Sequence, residues 1–376
     1  MPMVSLARSS LLYEWRRYLP AVLAITFAGL LMVVQVALLM GLFATVSVVV
    51  DKSAAQLWIG FRDTQSVDLG RPLAARSDAA AWAHPGVERV ERYVSAYGDL
   101  RRSDGVPITV LLNAVDTSDH ALAFSALLTP QQRAMLREPG AILIDEADVS
   151  KLGARTDGKV EINGRGARIA GVVRGLRAVG GVNVVGSYAT MRQLAPETAE
   201  QVTFHLVRLR PGWDPRAVAQ DIGDRSATPR YSVWLSEDFS VRSQTYWLLE
   251  SGTGIGSGFA SVLALIVGIA ITSQTLAAAV MGSIKEFAAL RALGVSRGSL
   301  RRVVIEQSLW VGAVGLAVTA LLVAGIAWLG TALNVAMAFS AWMLGGVAAL
   351  MIAIAVASGV LALRPLLHAE PATLLR

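Results

Sequence analysis

Three stretches of the chain contain no Asp, Glu, Lys or Arg, and they dominate its pattern of apolar and polar positions. These stretches are residues 18–50, 251–284 and 307–363. A helix that crosses a bilayer needs about 20 mainly apolar residues. The first two stretches therefore predict one spanning helix each, and the third predicts two spans with a short connector. Residues 51–250, between the first and second spans, are polar enough to form a folded domain.

The chain is thus predicted to be an α-helical membrane protein with four spans, one before and three after a large extracytoplasmic α+β domain. The first uncharged stretch exceeds the 7–15 residues or so of a signal-peptide core, so a retained anchor is expected. We assign residues 1–18 to an amphipathic N-terminal segment, 19–50 to the first span, 51–250 to the outer domain, 251–282 to the second span, 283–298 to a loop with a short helix, 303–329 to the third span, 330–340 to a connector, 341–363 to the fourth span and 364–376 to a tail.

The charges that flank the spans predict how the chain is oriented. Basic residues outnumber acidic ones in the first 17 residues, in residues 285–302 and after residue 363, whereas residues 330–340 carry no charge. Loops rich in Lys and Arg stay in the cytoplasm. We therefore expect a multi-pass protein of the bacterial inner membrane, with both termini cytoplasmic and the large domain periplasmic. The N-terminal segment is either a helix lying in the interface or the first turns of the first span.

The net charge of +6 does not indicate nucleic-acid binding. Residues 51–250 contain equal numbers of acidic and basic residues, so the excess belongs to the membrane flanks. There it sets the orientation of the spans in the membrane. We therefore expect membrane lipid, and not nucleic acid, as a partner of this chain. The sequence has no cysteine, which excludes disulfides and thiolate chemistry. Its four histidines show no metal-ligand spacing, and no catalytic or cofactor-binding motif is present.

Within the outer domain, residues 141–194 give the clearest pattern. It predicts a strand, a short helix ending at Gly153, a hairpin turning at residues 164–166, another strand and a helix at residues 188–194. The sum is a small β-barrel-like α+β module, and residues 87–115 and 202–235 read as strands of a second module. The acidic cluster at residues 145–148 fits a helix start better than a calcium site.

A glycine-rich segment precedes the second span. It lacks the lysine of a phosphate-binding loop and the spacing of a dinucleotide fingerprint. A hinge or a close-packing face is therefore favoured over ligand binding. The glycines concerned are Gly252, Gly254, Gly256 and Gly258.

Residues 283–293, between the second and third spans, have the pattern of a short amphipathic helix. Phe287, Leu290 and Leu293 fall on one face, and Gly294 is suited to end the helix. A short amphipathic helix in the cytosol is typical of an element that docks a partner protein or lies on lipid.

At these residues the chain resembles a known family. Residues 283–297 read SIKEFAALRALGVSR, which is similar to the signature of FtsX-like, MacB-like ABC transporter permeases. Residues 145–173 resemble an element of the outer domain of that family, and residues 363–376 resemble its closing pattern. Together with the one-plus-three layout, the three motifs extend the resemblance over the whole chain. The layout is closest to the DevC-like branch, in which the ATPase is a separate subunit.

The resemblance implies a non-catalytic permease subunit of an ABC-type exporter. ATP and Mg²⁺ would bind to a dimer of partner ATPases, and a second permease copy would complete the complex, with a periplasmic adaptor (membrane fusion protein) and an outer-membrane channel as further partners. ATP hydrolysis would move the periplasmic domain by mechanotransmission, and the substrate would be hydrophobic or lipidic. The residues that the resemblance places at the ATPase are Lys285, Glu286, Phe287, Leu290, Arg291, Leu293 and Gly294.

Two alternatives stay open at this point. The first is an FtsX-type regulator that acts on a periplasmic hydrolase and transports nothing. The second is a membrane-anchored sensor whose outer domain binds a ligand. The sensor requires a cytoplasmic output domain, but the longest predicted cytoplasmic segment between spans is the short loop around residues 285–302.

Overall fold

The computed structural model describes most of the chain and divides it into two compact units. One unit is Leu42–Gly254, and the other combines Met1–Gly41 with Ile255–Arg376. The described residues are 13, 15–74, 76–102, 105–153, 157–178, 181–225, 231–282, 289, 295–333, 335 and 337–362. The first unit is called the outer domain below, and the second the span unit.

Eleven α-helices occur in the described residues. They are α1 (Trp15–Val46), α2 (Val48–Asp51), α3 (Ala79–Trp82), α4 (Pro130–Met135), α5 (Val149–Leu152), α6 (Tyr188–Leu194), α7 (Pro215–Arg225), α8 (Ser236–Leu249), α9 (Gly252–Gly282), α10 (Arg297–Ala332) and α11 (Ala341–Ala362). Four of them, α1, α9, α10 and α11, are long and apolar enough to cross a membrane. This confirms the prediction of four spans in a one-plus-three order.

The span unit packs through small residues. A Cβ atom on Gly315 of α10 would lie 2.7 Å from Cγ2 of Ile25 on α1, and one on Gly268 of α9 would lie 2.9 Å from Cβ of Ala28. Such close approach requires glycine on one side, as is usual where helices associate without a water-driven hydrophobic effect. The Oγ atoms of Ser273 and Ser358 are 2.8 Å apart and join α9 to α11.

The predicted segments at the two termini of the chain lie largely outside the described residues. Residues 1–12, most of the predicted N-terminal segment, and the tail at residues 364–376 lie outside the described residues. Trp15 begins the same helix as the first span. The connector between α10 and α11 is short, and its Ala338 N–H donates to the carbonyl oxygen of Ala37 in α1 (3.0 Å).

Nine β-strands form the sheet of the outer domain. They are β1 (Leu57–Phe61), β2 (Val87–Arg101), β3 (Pro107–Val115), β4 (Ala141–Asp145), β5 (Lys159–Ile162), β6 (Arg165–Val173), β7 (Val182–Ser187), β8 (Phe204–Leu209) and β9 (Tyr231–Leu235). Their order is β3-β7-β4-β6-β5-β2-β8-β1-β9, with an additional pairing between β3 and β2.

The additional pairing closes six of the strands into a barrel. β2 pairs with both β3 and β5, so the barrel consists of β2, β3, β7, β4, β6 and β5. β2 also pairs with β8, which continues into β1 and β9 as a four-stranded antiparallel sheet. The 15-residue β2 is thus shared by both assemblies. The predicted barrel-like module and the second module are both present, joined by this strand.

Each assembly has its own apolar core. Leu100, Ile142, Ile162 and Val184 belong to the cluster inside the barrel. The four-stranded sheet covers α7 through a cluster that includes Ile222. A third cluster, rich in aromatic side chains, combines residues of α2, β1, β2, β8 and α8.

The pattern at residues 141–194 predicted the local elements well. β4, the helix ending at Gly153 (φ 60°), β7 and α6 all occur there. The hairpin turn differs slightly, because Asn163 (φ 49°) and Gly164 (φ 74°) make it and Arg165 already belongs to β6. Two left-handed residues, Asn then Gly, are the favoured pair for a two-residue hairpin turn.

The acidic cluster at residues 145–148 is structural. Asp145 is buried and accepts hydrogen bonds from the N–H groups of Ala147 (2.9 Å) and Leu176 (2.6 Å), which caps the helix that follows β4. Glu146 pairs with the exposed Arg174. Among the described residues, no group of acidic or histidine side chains has the arrangement of a metal site.

Candidate functional site

The loop between the second and third spans, which the sequence predicts to be cytoplasmic, is the first candidate site. Its seven candidate residues, Lys285, Glu286, Phe287, Leu290, Arg291, Leu293 and Gly294, lie outside the described residues. The helices that border it are described: α9 ends at Gly282, and α10 begins at Arg297. The Oγ of Ser296 accepts the N–H of Ser299 (3.2 Å) and caps α10. The ATPase-contact role of the loop stays a prediction.

The glycine-rich segment marks a break between two helices. α8 ends at Leu249 and α9 starts at Gly252, with Ser251 Oγ accepting the N–H of Gly254 (3.0 Å). A Cβ atom on Gly254 would overlap the carbonyl oxygen of Trp247. Only glycine fits at this position, which agrees with a tight bend of the backbone. Cβ atoms on the other three glycines, Gly252, Gly256 and Gly258, would contact no described atom within 4 Å.

The two chain segments that connect the outer domain to spans are hydrogen-bonded to each other. We call this region the neck; it consists of residues 47–51, the loop at residues 64–68, and α8. Ser47, fully buried, donates from Oγ to Asp51 Oδ2 (2.6 Å). Gln244 of α8 donates from Nε2 to Ser47 Oγ (2.9 Å) and to Ser240 Oγ (3.2 Å). The neck therefore ties the end of the first spanning helix to the helix that precedes the second.

The loop at residues 64–68 holds α8 from another side. Trp247 donates from Nε1 to Asp68 Oδ1 (3.2 Å), and the N–H of Val67 donates to Ser243 Oγ (3.1 Å). Arg242 donates from Nε to the carbonyl oxygen of Thr64 (2.9 Å). Two successive turns of α8, one with Arg242 and Ser243 and the next with Trp247, thus have partners on this loop.

Aromatic side chains anchor the neck in the domain core. Phe239 of α8 is fully buried and stacks on Trp234, with ring centroids 4.8 Å apart and an interplanar angle of 9°. Trp58 of β1 lies 5.8 Å from Phe239 and 5.5 Å from Phe204. Aromatic pairs at such separations add to the stabilisation from burial alone. Phe239 therefore joins α8 to the aromatic side chains of β1 and β8.

A small cavity lies beneath the end of the first helix. It measures about 30 Å³, which suits a single water molecule. Val48 and Val49 of α2 line one side, and the Tyr93–Asn113 pair lines another. The hydroxyl of Tyr93 donates to Asn113 Oδ1, and burial raises the pKa of that hydroxyl far above its ordinary value. The cavity is too small for a substrate.

Sequence patterns did not identify the neck. α8 was not predicted, because its apolar residues form no single face. One signal was available: Ser236, Ser240, Ser243, Gln244 and Trp247 recur at three- and four-residue intervals, which places polar atoms along one side of a helix. A polar side is unremarkable on a surface helix, so the spacing does not by itself indicate a buried contact.

The outward surface of the second span is apolar along its length. Ile255, Phe259, Val262 and Ile266 recur at helical intervals and are each 55–65% exposed. Within the span unit, this makes α9 the least covered of the four spanning helices. The surface is available to lipid or to another membrane helix.

Two family models match the sequence and together include most of it. A MacB-like periplasmic core domain matches residues 19–225, and an FtsX-like permease C-terminal domain matches residues 258–371. A comparison with curated proteins found no match. The first model alone spans more than half of the chain, including α1, α2 and most of the outer domain.

Three solved structures are each similar to about half of the chain. The periplasmic region of MacB from Actinobacillus actinomycetemcomitans has 12% identity and a TM-score of 0.36, covering 50% of this chain and 92% of its own. The extracellular domain of the ABC-type transporter YknZ from Gram-positive bacteria has 14% identity and a TM-score of 0.32, covering 48% and 98%. A domain of a permease protein from Porphyromonas gingivalis has 16% identity and a TM-score of 0.32, covering 50% and 95%.

The assignment rests on the two family models, which match in the order that the helices and the sheet require. The first covers the leading span and the strands of the outer domain, and the second covers the three spans that follow. The chain belongs to the FtsX-like permeases of ABC-type systems that carry a MacB-like periplasmic core domain.

Proposed function

We propose that this chain is the permease subunit of an ABC-type exporter in which a separate cytoplasmic ATPase drives motion of the periplasmic domain. The neck is the observation that carries the proposal. α1 runs without interruption from Trp15 to Val46, and α2 follows after Ser47 with Val49 and Val50 in the core of the outer domain. A rigid helix anchored in this way transmits a displacement instead of absorbing it.

The composition of the spans supports force transmission over passage of a hydrophilic substrate. The described polar side chains buried in α10 and α11 are few: Gln307, Ser308, Thr319 and Ser358. Water-filled paths through membranes are lined with many polar or ionisable groups. A hydrophobic or lipidic substrate, handled on the periplasmic side with an adaptor protein, fits this composition. An outer-membrane channel would complete such an export route.

The printed sequence contains no G-x-x-x-x-G-K-[ST] motif, so we place ATP and Mg²⁺ in a partner subunit. Residues 285–294 are our candidates for the contact with that ATPase, on the cytoplasmic side together with both termini. A second copy of the permease would use part of the exposed surface of α9. The four glycines at residues 252–258 would permit the bend between α8 and α9 to change during the cycle.

The test is affinity purification of the full chain from its native host in mild detergent, with mass spectrometry of what co-purifies. Glu286→Lys combined with Arg291→Glu reverses two charges of the loop while keeping its net charge. The matched control, Glu161→Lys with Arg101→Glu, does the same to an exposed pair of the outer domain whose N and O atoms are 3.8 Å apart.

We expect an ABC ATPase to co-purify with the wild type and with the control, and to be lost from the loop variant. An adaptor protein in the same sample supports export, whereas a periplasmic hydrolase in its place supports the regulatory alternative. A well-folded wild type that brings down no ATPase would contradict the proposal.

A further inference from the structure

A loop of the outer domain crosses the point where the first helix enters. We call residues 116–128, which connect β3 to α4, the strap. The N–H of Ala54 donates to the carbonyl oxygen of Leu122 (3.0 Å), and the N–H of Ala126 donates to the carbonyl oxygen of Lys52 (3.1 Å). One bond is donated by each segment, as between neighbouring β-strands. The strap thus holds residues 52–54, the three residues that follow residue 51 of the neck.

On its other side the strap is held by a buried carboxylate. Glu91 of β2 is 4% exposed, and its carboxylate accepts the N–H groups of both Leu122 and Ala123, the latter at 3.2 Å. Hydrogen bonds to a charged acceptor are stronger than neutral ones. The peptide group that joins Leu122 to Ala123 is thus bonded on both sides: its carbonyl oxygen accepts the N–H of Ala54, and its N–H donates to Glu91 of β2.

A buried arginine completes the attachment. Arg133 of α4 is 4% exposed and donates to the carbonyl oxygens of Ala123 (3.0 Å) and Asp116 (3.1 Å). The Asp116 carboxylate accepts the N–H of Ser118 (2.8 Å) and pairs with Arg89 of β2. The start and the middle of the strap are therefore held by charged side chains of β2 and α4.

The backbone of the strap is strained at its centre. Phe124 has φ of 50°, in the left-handed region that bulky residues rarely adopt, while its side chain is buried beside Tyr93. Such a conformation persists only where the surroundings impose it. Leu122 and Ala123, the two residues before Phe124, are hydrogen-bonded to Glu91 and hold the backbone in this conformation.

Charged groups of three elements lie near Glu91, namely Arg89 of β2, Asp116 of the strap and Arg133 of α4. Burial raises the pKa of Glu91, and Asp116 adds to this effect, whereas the N–H groups of Leu122 and Ala123 and the charge of Arg89 oppose it. Although burial works in the other direction, the Ser118 hydrogen bonds and Arg89 lower the pKa of Asp116. Burial lowers the pKa of Arg133. The cluster spans β2, the strap and α4.

We propose that the strap couples the neck to β2, with Glu91 as the positioning residue that converts movement at Ala54 into movement of that strand. Because β2 belongs to both the barrel and the four-stranded sheet, a displacement at Glu91 reaches both assemblies. This role rests on the proposed function, since it describes how motion delivered by the first spanning helix spreads through the outer domain.

Hydrogen exchange of the full chain in detergent, resolved by mass spectrometry, tests the coupling. In Glu91→Gln, the amides of Leu122 and Ala123 lose a charged acceptor. If the strap couples the two sides, the amide of Ala54, which Glu91 reaches only through Leu122, is also expected to exchange about tenfold faster. Glu161→Gln, at an exposed carboxylate of β5, is the matched control and is expected to leave all three amides unchanged.

Faster exchange confined to Leu122 and Ala123, with Ala54 as slow as in the wild type, would show a purely local role and overturn the proposal.

If Glu91→Gln does not fold, Arg133→Lys weakens the attachment of the same strap, and exchange is measured at the same three amides. A second measurement starts from the neck: Val50→Ala is expected to speed exchange at Leu122, and less than additively when combined with Glu91→Gln. Additive effects would contradict coupling.

Both measurements use the permease alone. A missing ATPase partner would overturn the proposed function without affecting these exchange rates, and unchanged exchange at Ala54 would overturn the strap without affecting ATPase binding. The absence of cysteine from the sequence also permits single-site labelling at residue 54 to follow the same movement in an assembled complex.

Discussion

The outer domain and the span unit are held together by opposite kinds of contact. The outer domain buries large side chains against one another, among them Trp58, Phe204 and Phe239. The span unit instead brings helix backbones close at small residues such as Gly315 and Gly268. Interlocking large side chains resist small displacements. Contacts at glycine let helix backbones approach more closely than large side chains would allow, so the two units reach tight packing in different ways.

Their buried polar groups differ in the same way. The outer domain buries charged groups that join separate segments, as Glu91 joins β2 to residues 122–123. In the span unit, the hydroxyls of Thr26 and Thr319 bond chiefly to carbonyl oxygens one turn earlier in their own helices, at 2.8 Å in both cases. Charged groups therefore join separate segments in the outer domain, whereas hydroxyl groups such as those of Ser273 and Ser358 do so in the span unit.

The largest expected effect follows from removing a large side chain of the outer domain. Trp58 is fully buried among aromatic rings, so Trp58→Ala should cost about 3–5 kcal/mol of folding free energy. Denaturant unfolding of the full chain, read by pulsed hydrogen exchange at residues 87–101, measures it. Trp82→Ala is the control, since Trp82 is 52% exposed. Equal losses in both variants would mean that burial does not set the stability of this domain.

The span unit should respond to the opposite change, from small to large. A Cβ on Gly315 would lie 2.7 Å from Ile25 Cγ2 and 3.3 Å from the carbonyl oxygen of Val22. Gly315→Ala is therefore expected to destabilise the unit by about 1–3 kcal/mol. The midpoint of unfolding by an anionic detergent measures this change.

Gly325 provides a control in the same helix, because a Cβ there would meet no described atom within 4 Å. Gly325→Ala should leave stability unchanged or raise it by up to about 1 kcal/mol, since alanine favours helix. A loss as large as that of Gly315→Ala would contradict close packing as the cause.

Acid should lower the stability of the outer domain through His205, which the span unit does not contain. This histidine of β8 is fully buried, with Nε2 2.7 Å from Ser77 Oγ, and burial lowers its pKa from 6.5 to about 4. Below pH 6.5 the unfolded chain binds a proton that the folded domain refuses, so stability falls until the pH approaches 4. Between pH 7.5 and 5 the loss should be about 2 kcal/mol.

The measurement is the difference between wild type and His205→Gln in thermal unfolding at the two pH values. Taking this difference removes the contribution of Glu91, whose raised pKa acts with the opposite sign. The outer domain of the wild type should lose more stability in acid than that of the variant. Equal losses in the two proteins would show that His205 takes up its proton in the folded state.

Features of the fold that depend on neighbouring residues could be predicted from the sequence. The absence of charge predicted the four spans, and the glycines at residues 164–166 between two apolar runs predicted the hairpin of β5 and β6, with its turn one residue later than the structure has it. Turn chemistry and span length act within a few residues, so a single sequence carries the signal.

The sharing of β2 and the burial of Glu91 could not be predicted in this way. β2 pairs with residues 107–115, 159–162 and 204–209, which are distant along the chain. Glu91 lies in the run Glu88-Arg89-Val90-Glu91-Arg92, which has the composition of a solvent-exposed edge. In the folded chain the strap packs over Glu91, so its carboxylate becomes a buried hydrogen-bond acceptor.

The smallest expected effects come from the same substitution made in both units. Thr203 Oγ1 accepts the N–H of Ser95 (2.9 Å) and donates to its carbonyl oxygen (3.2 Å), so Thr203→Val leaves a backbone group unpaired and should cost about 1–2 kcal/mol. Thr319 Oγ1 reaches Thr26 only at 3.3 Å, and Thr319→Val should cost about 0.6 kcal/mol, the average for polar contacts between spans. Unfolding measured at each unit in one preparation compares the two directly. A larger cost for Thr319→Val would mean that polar contacts between helices fix the spans as firmly as polar contacts fix the outer domain, and would contradict the contrast between the two units.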